Sequence, residues 1–110
     1  MTVVERPWLK MYDAAVMRQD MDYYPQQPLF HFLRQAAGRY PQQVALRFGK
    51  ATLRYAVLEQ LTQRLADGLV QAGVRPGERV GVMMPNLPQF VLSYYAVLKA
   101  GGVVVACNPA

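Results

Sequence analysis

A single histidine, His31, and a single cysteine, Cys107, are all that the sequence offers for imidazole or thiol chemistry. No second ligand or carboxylate stands at metal-binding spacing around His31. The residue therefore reads as a surface or packing side chain of a helix, not as a base or ligand. Cys107 closes the apolar run Val103-Val104-Val105-Ala106-Cys107. A reactive thiolate needs a cation or base beside it, and none is near in sequence, so Cys107 reads as buried strand filler. One cysteine cannot form an internal disulfide, which favours a reducing compartment and makes a cytoplasmic location the expectation.

Phosphate chemistry would need a loop with free backbone N–H groups at a helix start, and the stretch Met83-Met84-Pro85-Asn86-Leu87-Pro88 lies at such a strand-to-helix junction. Its two prolines remove two donors, and no glycine lets backbone approach a phosphate closely. Pro85, Asn86 and Pro88 thus read as a structural turn, with Asn86 capping the helix or bracing the turn. Gly101-Gly102 belongs to neither G-x-G-x-x-G nor G-x-x-x-x-G-K-[ST] and reads as a helix stop. The six methionines are scattered, as core or arm contacts would be. No catalytic, cofactor-binding or metal-ligating residue is expected among these 110.

The net charge of +5 raises the question of nucleic acid. Phosphate-backbone binding needs clustered Lys and Arg, whereas Arg34, Arg39, Arg47, Arg54, Arg64, Arg75 and Arg79 are spread one or two to an element. The charges read as solvated faces, and no nucleic-acid partner is expected. An apolar fraction of 53% with 17% charged residues excludes wholesale disorder. It also exceeds what so short a chain covers alone, so something else is expected to lie against it. The longest near-apolar run, residues 90–98, falls far short of the roughly 20 residues that cross a bilayer. No secretory h-region is visible at the start.

The elements follow from periodicity and punctuation. Residues 1–27 carry Pro7 and Pro25 among scattered aromatics and read as an extended arm, with Trp8, Tyr12, Tyr23 and Tyr24 as candidate docking residues toward this chain or a partner. Residues 28–110 read as an incomplete α/β subdomain. Pro28 suits the first turn of a helix with an apolar face of Leu29, Phe30, Phe32, Leu33, Ala36, Ala37 and Tyr40, ended by Gly38 and Pro41. Val44, Leu46 and Phe48, then Gly49-Lys50, then Leu53-Arg54-Tyr55 predict a short antiparallel hairpin. Leu58, Leu61, Leu65, Leu69 and Ala72 recur as one face of a second helix that Gly73 ends. Residues 79–84 predict a strand buried on both faces, and residues 85–102 hold a helix long enough to return the chain parallel. Pro88 fits its first turn and Lys99 complements its negative end. The strand Val103 to Cys107 completes a βαβ unit.

From Gly73-Val74-Arg75-Pro76-Gly77-Glu78-Arg79-Val80-Gly81-Val82-Met83-Met84-Pro85-Asn86-Leu87-Pro88, through Leu98-Lys99-Ala100-Gly101-Gly102 to Asn108-Pro109, the sequence closely resembles the N-terminal region of the AMP-forming acyl-CoA synthetases, the acyl-adenylate-forming superfamily. Tyr40-Pro41, Val44-Ala45-Leu46 and Leu53-Arg54-Tyr55 resemble the same family's opening helix and hairpin. Arg6-Pro7-Trp8-Leu9-Lys10 with Tyr12-Asp13 is similar to the start of its bacterial long-chain fatty-acid members. The family's usual Thr and Glu around the hairpin tyrosine are Arg54 and Val57 here, which removes a helix cap.

The resemblance implies an α/β fold, the first part of the large adenylating domain. It implies ATP-dependent acyl-adenylate formation followed by thioester formation with coenzyme A, with magnesium assisting, for a longer parent protein. The family's phosphate loop, ribose-binding Asp, hinge and C-terminal catalytic Lys have no counterpart in these residues. The chain is therefore expected to be a non-catalytic scaffold fragment with no cofactor of its own, whose partner is the remainder of the synthetase. The alternative is a stand-alone interaction module, self-associating through the arm or an exposed sheet edge.

Overall fold

Residues 7–11 and 25–110 are described in the computed structural model, so Tyr12, Tyr23 and Tyr24 of the arm lie outside the described residues. Pro7–Met11 forms a short 3₁₀ turn on which Trp8 is 50% exposed. Helix α1 spans Leu29–Arg39. Pro28 stands just before it as the cap residue, with φ −58 and ψ 147, and not inside the first turn. Its carbonyl still accepts from His31 N–H at 3.0 Å. Leu33 is the buried residue of α1, while Leu29 and Phe32 remain half exposed.

Strands β1 (Val44–Phe48) and β2 (Ala51–Arg54) pair antiparallel, with Arg47 opposite Thr52 and Phe48 opposite Ala51 across the Gly49-Lys50 turn. The register slips between Val44 and Leu46. Helix α2 (Tyr55–Gln71) begins without a break after Arg54, which stands at the N-cap and supplies no side-chain cap. Its guanidinium donates instead to Gln42 Oε1 at 2.7 Å. The helix stops at Gly73, whose φ of +110 lies in the region a side chain opposes.

The buried line of α2 differs from the leucine face that periodicity suggests. Leu58, Thr62 and Ala66 are buried, whereas Leu65 is 40% exposed and Ala72 is exposed. The reason lies in the packing partner. Ala66 meets Ala96 and Ala100 of α3 in one core cluster, with Leu69 and Val74 against it. Three alanines let the helix axes approach closely, and close approach turns the small positions, not the leucines, toward the neighbour.

Strand β3 (Arg79–Met83), helix α3 (Pro88–Lys99) and strand β4 (Val103–Cys107) form the βαβ unit, with β3 and β4 parallel from Arg79↔Val103 to Met83↔Cys107. Gly77 N–H donates to Gly101 O at 2.8 Å and Val103 N–H to Glu78 O at 2.7 Å, seating the end of α3 against the start of β3. Gly102 fits there because a Cβ would stand 3.0 Å from Val97 Cγ1 and 3.2 Å from Glu78 O.

The expected burial of this sheet on both faces is corrected. Val82 is buried and Val80 and Val104 half buried, while Met83 is 65%, Val103 47% and Val105 41% exposed. Among the described residues the helices cover one face only.

Candidate functional site

The carboxyl ends of β3 and β4 are where an open α/β sheet would place a ligand, and a crevice of about 460 Å³ opens there. Its walls are Met84, Pro85, Asn86, Phe90, Ala106, Cys107, Asn108 and Pro109. Leu87 N–H donates to Pro85 O at 2.8 Å, a tight three-residue turn centred on Asn86. Helix α3 then starts with Leu87 as its cap residue and Pro88 at the first turn, and no side chain caps it. Asn86 is therefore a turn residue and not the cap. Asn108 Oδ1 accepts from Ala110 N–H at 3.0 Å, so its side chain is committed to its own backbone.

No cation lines this crevice, and its first-turn donors are reduced by prolines, so the donor set does not fit a nucleotide phosphate. Cys107 is half buried, not sealed in the core, and its Sγ lies 3.6 Å from Val105 O. Among the described residues no three His, Cys, Asp or Glu side chains gather as metal ligands, and the donor set does not fit magnesium. His31 is exposed, its ring edge-on to Phe32 at 6.0 Å.

Among the described residues the most buried charge is Lys99, which the sequence marks only as a cation complementing the end of α3. The Lys99 side chain is 0% exposed. Its ammonium donates to Thr62 Oγ1 at 2.8 Å and to the Glu59 carbonyl at 3.3 Å, and pairs with Glu59 Oε2 at 2.8 Å. Thr62 Oγ1 in turn donates to Glu59 O at 3.0 Å. Arg34 of α1 reaches the other carboxylate oxygen of Glu59, Nε to Oε1 at 3.5 Å, and its guanidinium stacks 4.8 Å over Phe30. All three Lys99 protons have acceptors, as a buried ammonium requires. This polar clasp joins α1, α2 and α3. It holds elements in place and presents no reacting group to solvent.

A second groove, of about 280 Å³, runs between β1 and the start of α3, lined by Leu46, Arg47, Phe48, Asn86, Leu87, Pro88, Phe90 and Val91.

The family described as AMP-binding enzyme matches residues 33–110. The chain is 37% identical over 105 residues to a long-chain-fatty-acid-CoA ligase of Bacillus subtilis, covering 96% of this chain and 18% of that protein. It is 35% identical over 102 residues to a salicyl-AMP ligase / salicyl-S-ArCP synthetase of Mycobacterium tuberculosis, covering 88% of this chain and 18% of that protein. The apo structure of MbtA from Mycobacterium smegmatis superposes with a TM-score of 0.76 at 37% identity, over 81% of this chain and 17% of that one. The chain spans less than a fifth of the length of these relatives. The resemblance read from the sequence, and the order helix, hairpin, helix, βαβ, are both borne out.

Proposed function

Because the chain belongs to the AMP-binding enzyme family, we propose that it is the N-terminal scaffold segment of an ATP-dependent acid–thiol ligase. In that reading the parent protein converts a long-chain fatty acid to its acyl-adenylate and then to the coenzyme A thioester, in the cytoplasm, with magnesium. The fatty-acid assignment is supported by the match to the Bacillus subtilis ligase over 96% of the chain, arm included. The salicyl-AMP relative at 35% identity marks an aromatic acid as the competing substrate class.

The scaffold role rests on one observation above all. The strand-end crevice carries no cation and a proline-depleted set of donors, whereas the buried charge chemistry is spent on joining helices. ATP–pyrophosphate exchange tests both parts. The 110-residue chain should give none with any acid, and the longer protein should give exchange that depends on long-chain fatty acid. Exchange by the short chain would overturn the scaffold role. Exchange supported only by aromatic acids would move the substrate class.

A second reading is favoured by the exposed apolar face of Met83, Val103 and Val105, namely self-association of this chain through the open sheet. Light scattering at rising concentration checks it, and a strictly monomeric species rejects it.

A further inference from the structure

The groove between β1 and α3 has a composition that the scaffold role does not use. Leu46, Phe48, Leu87, Pro88 and Phe90 give it apolar walls, and Arg47 is the single charged side chain among them. A neighbouring hollow of about 260 Å³ reaches α1 and shares Leu46 and Val91 with it, so the apolar lining is continuous. Together the two have the size of an ordinary small-molecule site.

Arg47 has no carboxylate partner among the described residues. Residues 28–110 hold nine Lys or Arg against three Asp or Glu. Of those three acids, Glu59 is taken by Lys99 and Arg34, Asp67 accepts from Gln63, and Glu78 accepts from the Arg75 backbone. A guanidinium with no anion beside it among the described residues, at the edge of an alkyl-lined groove, is complementary to an amphiphile that is acidic at one end and apolar along the rest.

We infer that this groove binds a free fatty acid, with the chain along Leu46, Leu87 and Phe90 and the carboxylate on Arg47. One cation suits one carboxylate, whereas attraction to an anionic membrane surface needs several basic residues together. The site borders the strand-end crevice, with Asn86 and Phe90 lining both, and performs no chemistry. It holds the acid form of the proposed substrate class, and to that extent rests on the fatty-acid reading.

Calorimetric titration of the 110-residue chain with octanoate, decanoate and dodecanoate, without nucleotide, tests the site separately from the ligase reading, which is tested by exchange in the longer protein. Binding should be saturable and should strengthen roughly fourfold per methylene until the groove is filled. Dodecanol should bind at least about tenfold more weakly than dodecanoate, and R47Q should lower dodecanoate to the dodecanol level. V105K, on the uncovered sheet face, should leave binding intact. The inference is overturned by absent saturable binding, by equal affinity for acid and alcohol, by a carboxylate preference that survives R47Q, or by loss of binding in V105K. Capture of the chain by phosphatidylglycerol vesicles without binding of free dodecanoate would overturn it in favour of a membrane surface.

Discussion

Replacing Lys99 by methionine keeps the unbranched stem that crosses the α2–α3 contact and deletes the ammonium that three acceptors converge on. The Glu59 carboxylate, 23% exposed, then keeps only Arg34 Nε at 3.5 Å, from a side chain that is 50% exposed. An exposed partner of that kind returns about 0.2–1 kcal/mol. Stranding one member of a buried pair costs about 3–5 kcal/mol, so K99M is expected near the lower end, about 3 kcal/mol. E59L strands the sealed ammonium with neutral acceptors alone and should cost at least as much. The double variant strands neither charge and should recover to within about 1 kcal/mol of the parent, because apolar replacement of a whole buried pair is often neutral.

Urea unfolding of the four proteins, with the denaturant slope held constant, yields the coupling energy. From the expected single and double costs the coupling is about 5 kcal/mol or more, little changed between low and high salt because the pair is shielded from solvent. Coupling below about 1 kcal/mol, or coupling that salt removes, would place the pair among ordinary surface contacts and refute the clasp.

Arg54→Thr should restore a capping hydroxyl at the start of α2 and raise stability by about 1 kcal/mol, seen as a higher melting temperature by circular dichroism. The Gln42 hydrogen bond it removes is exposed and offsets little. Gly68→Ala lies in the interior of α2 with nothing within 4 Å of the new Cβ, and should stabilise by about 1 kcal/mol in the same assay. Gly102→Ala places its Cβ 3.0 Å from Val97 Cγ1 and 3.2 Å from a backbone carbonyl, and should destabilise by about 1–3 kcal/mol. Val105→Lys should leave the melting temperature nearly unchanged, since Val105 is 41% exposed, and should suppress any concentration-dependent light scattering that runs through this face.

Punctuation in the sequence located the elements well. Gly73 ends α2 with φ +110, Pro88 opens α3, and the residues between Met83 and Val103 return the chain parallel to β3. Which face of each element is buried was less legible, for a reason of reach. Leucine periodicity reports what α2 would bury against an average neighbour. The actual neighbour presents Ala96, Ala100 and a lysine, so the line through Leu58, Thr62 and Ala66 turns inward. Nothing near Thr62 announces this, because the ammonium that needs its hydroxyl arrives 37 positions later. The same limit applies to β3. Its apolar run is suited to two covered faces, but among the described residues α3 is the helix packed on it, and it covers one. Cap and turn were both open for Asn86 in the sequence; in the structure it is the centre of the Pro85–Leu87 turn, and the cap position falls one residue beyond it, at Leu87. Arg47 gave no signal at all, since one arginine on a hairpin looks like any solvated charge until the start of α3 is folded beside it.

The seating of Gly101 and Gly102 on the Gly77-Glu78 turn has a bearing on how the polypeptide matures. Every partner in that seat, and in the clasp below it, comes from residues already translated when Cys107 leaves the ribosome. Helices can therefore dock while synthesis continues, since chains lengthen at only about 5–20 residues per second and early units fold first. If the chain is the first segment of the longer protein proposed above, the bare side of the two parallel strands stays apolar and uncovered until later residues are laid upon it. During that interval Met83, Val103 and Val105 form the patch that a chaperone would shield.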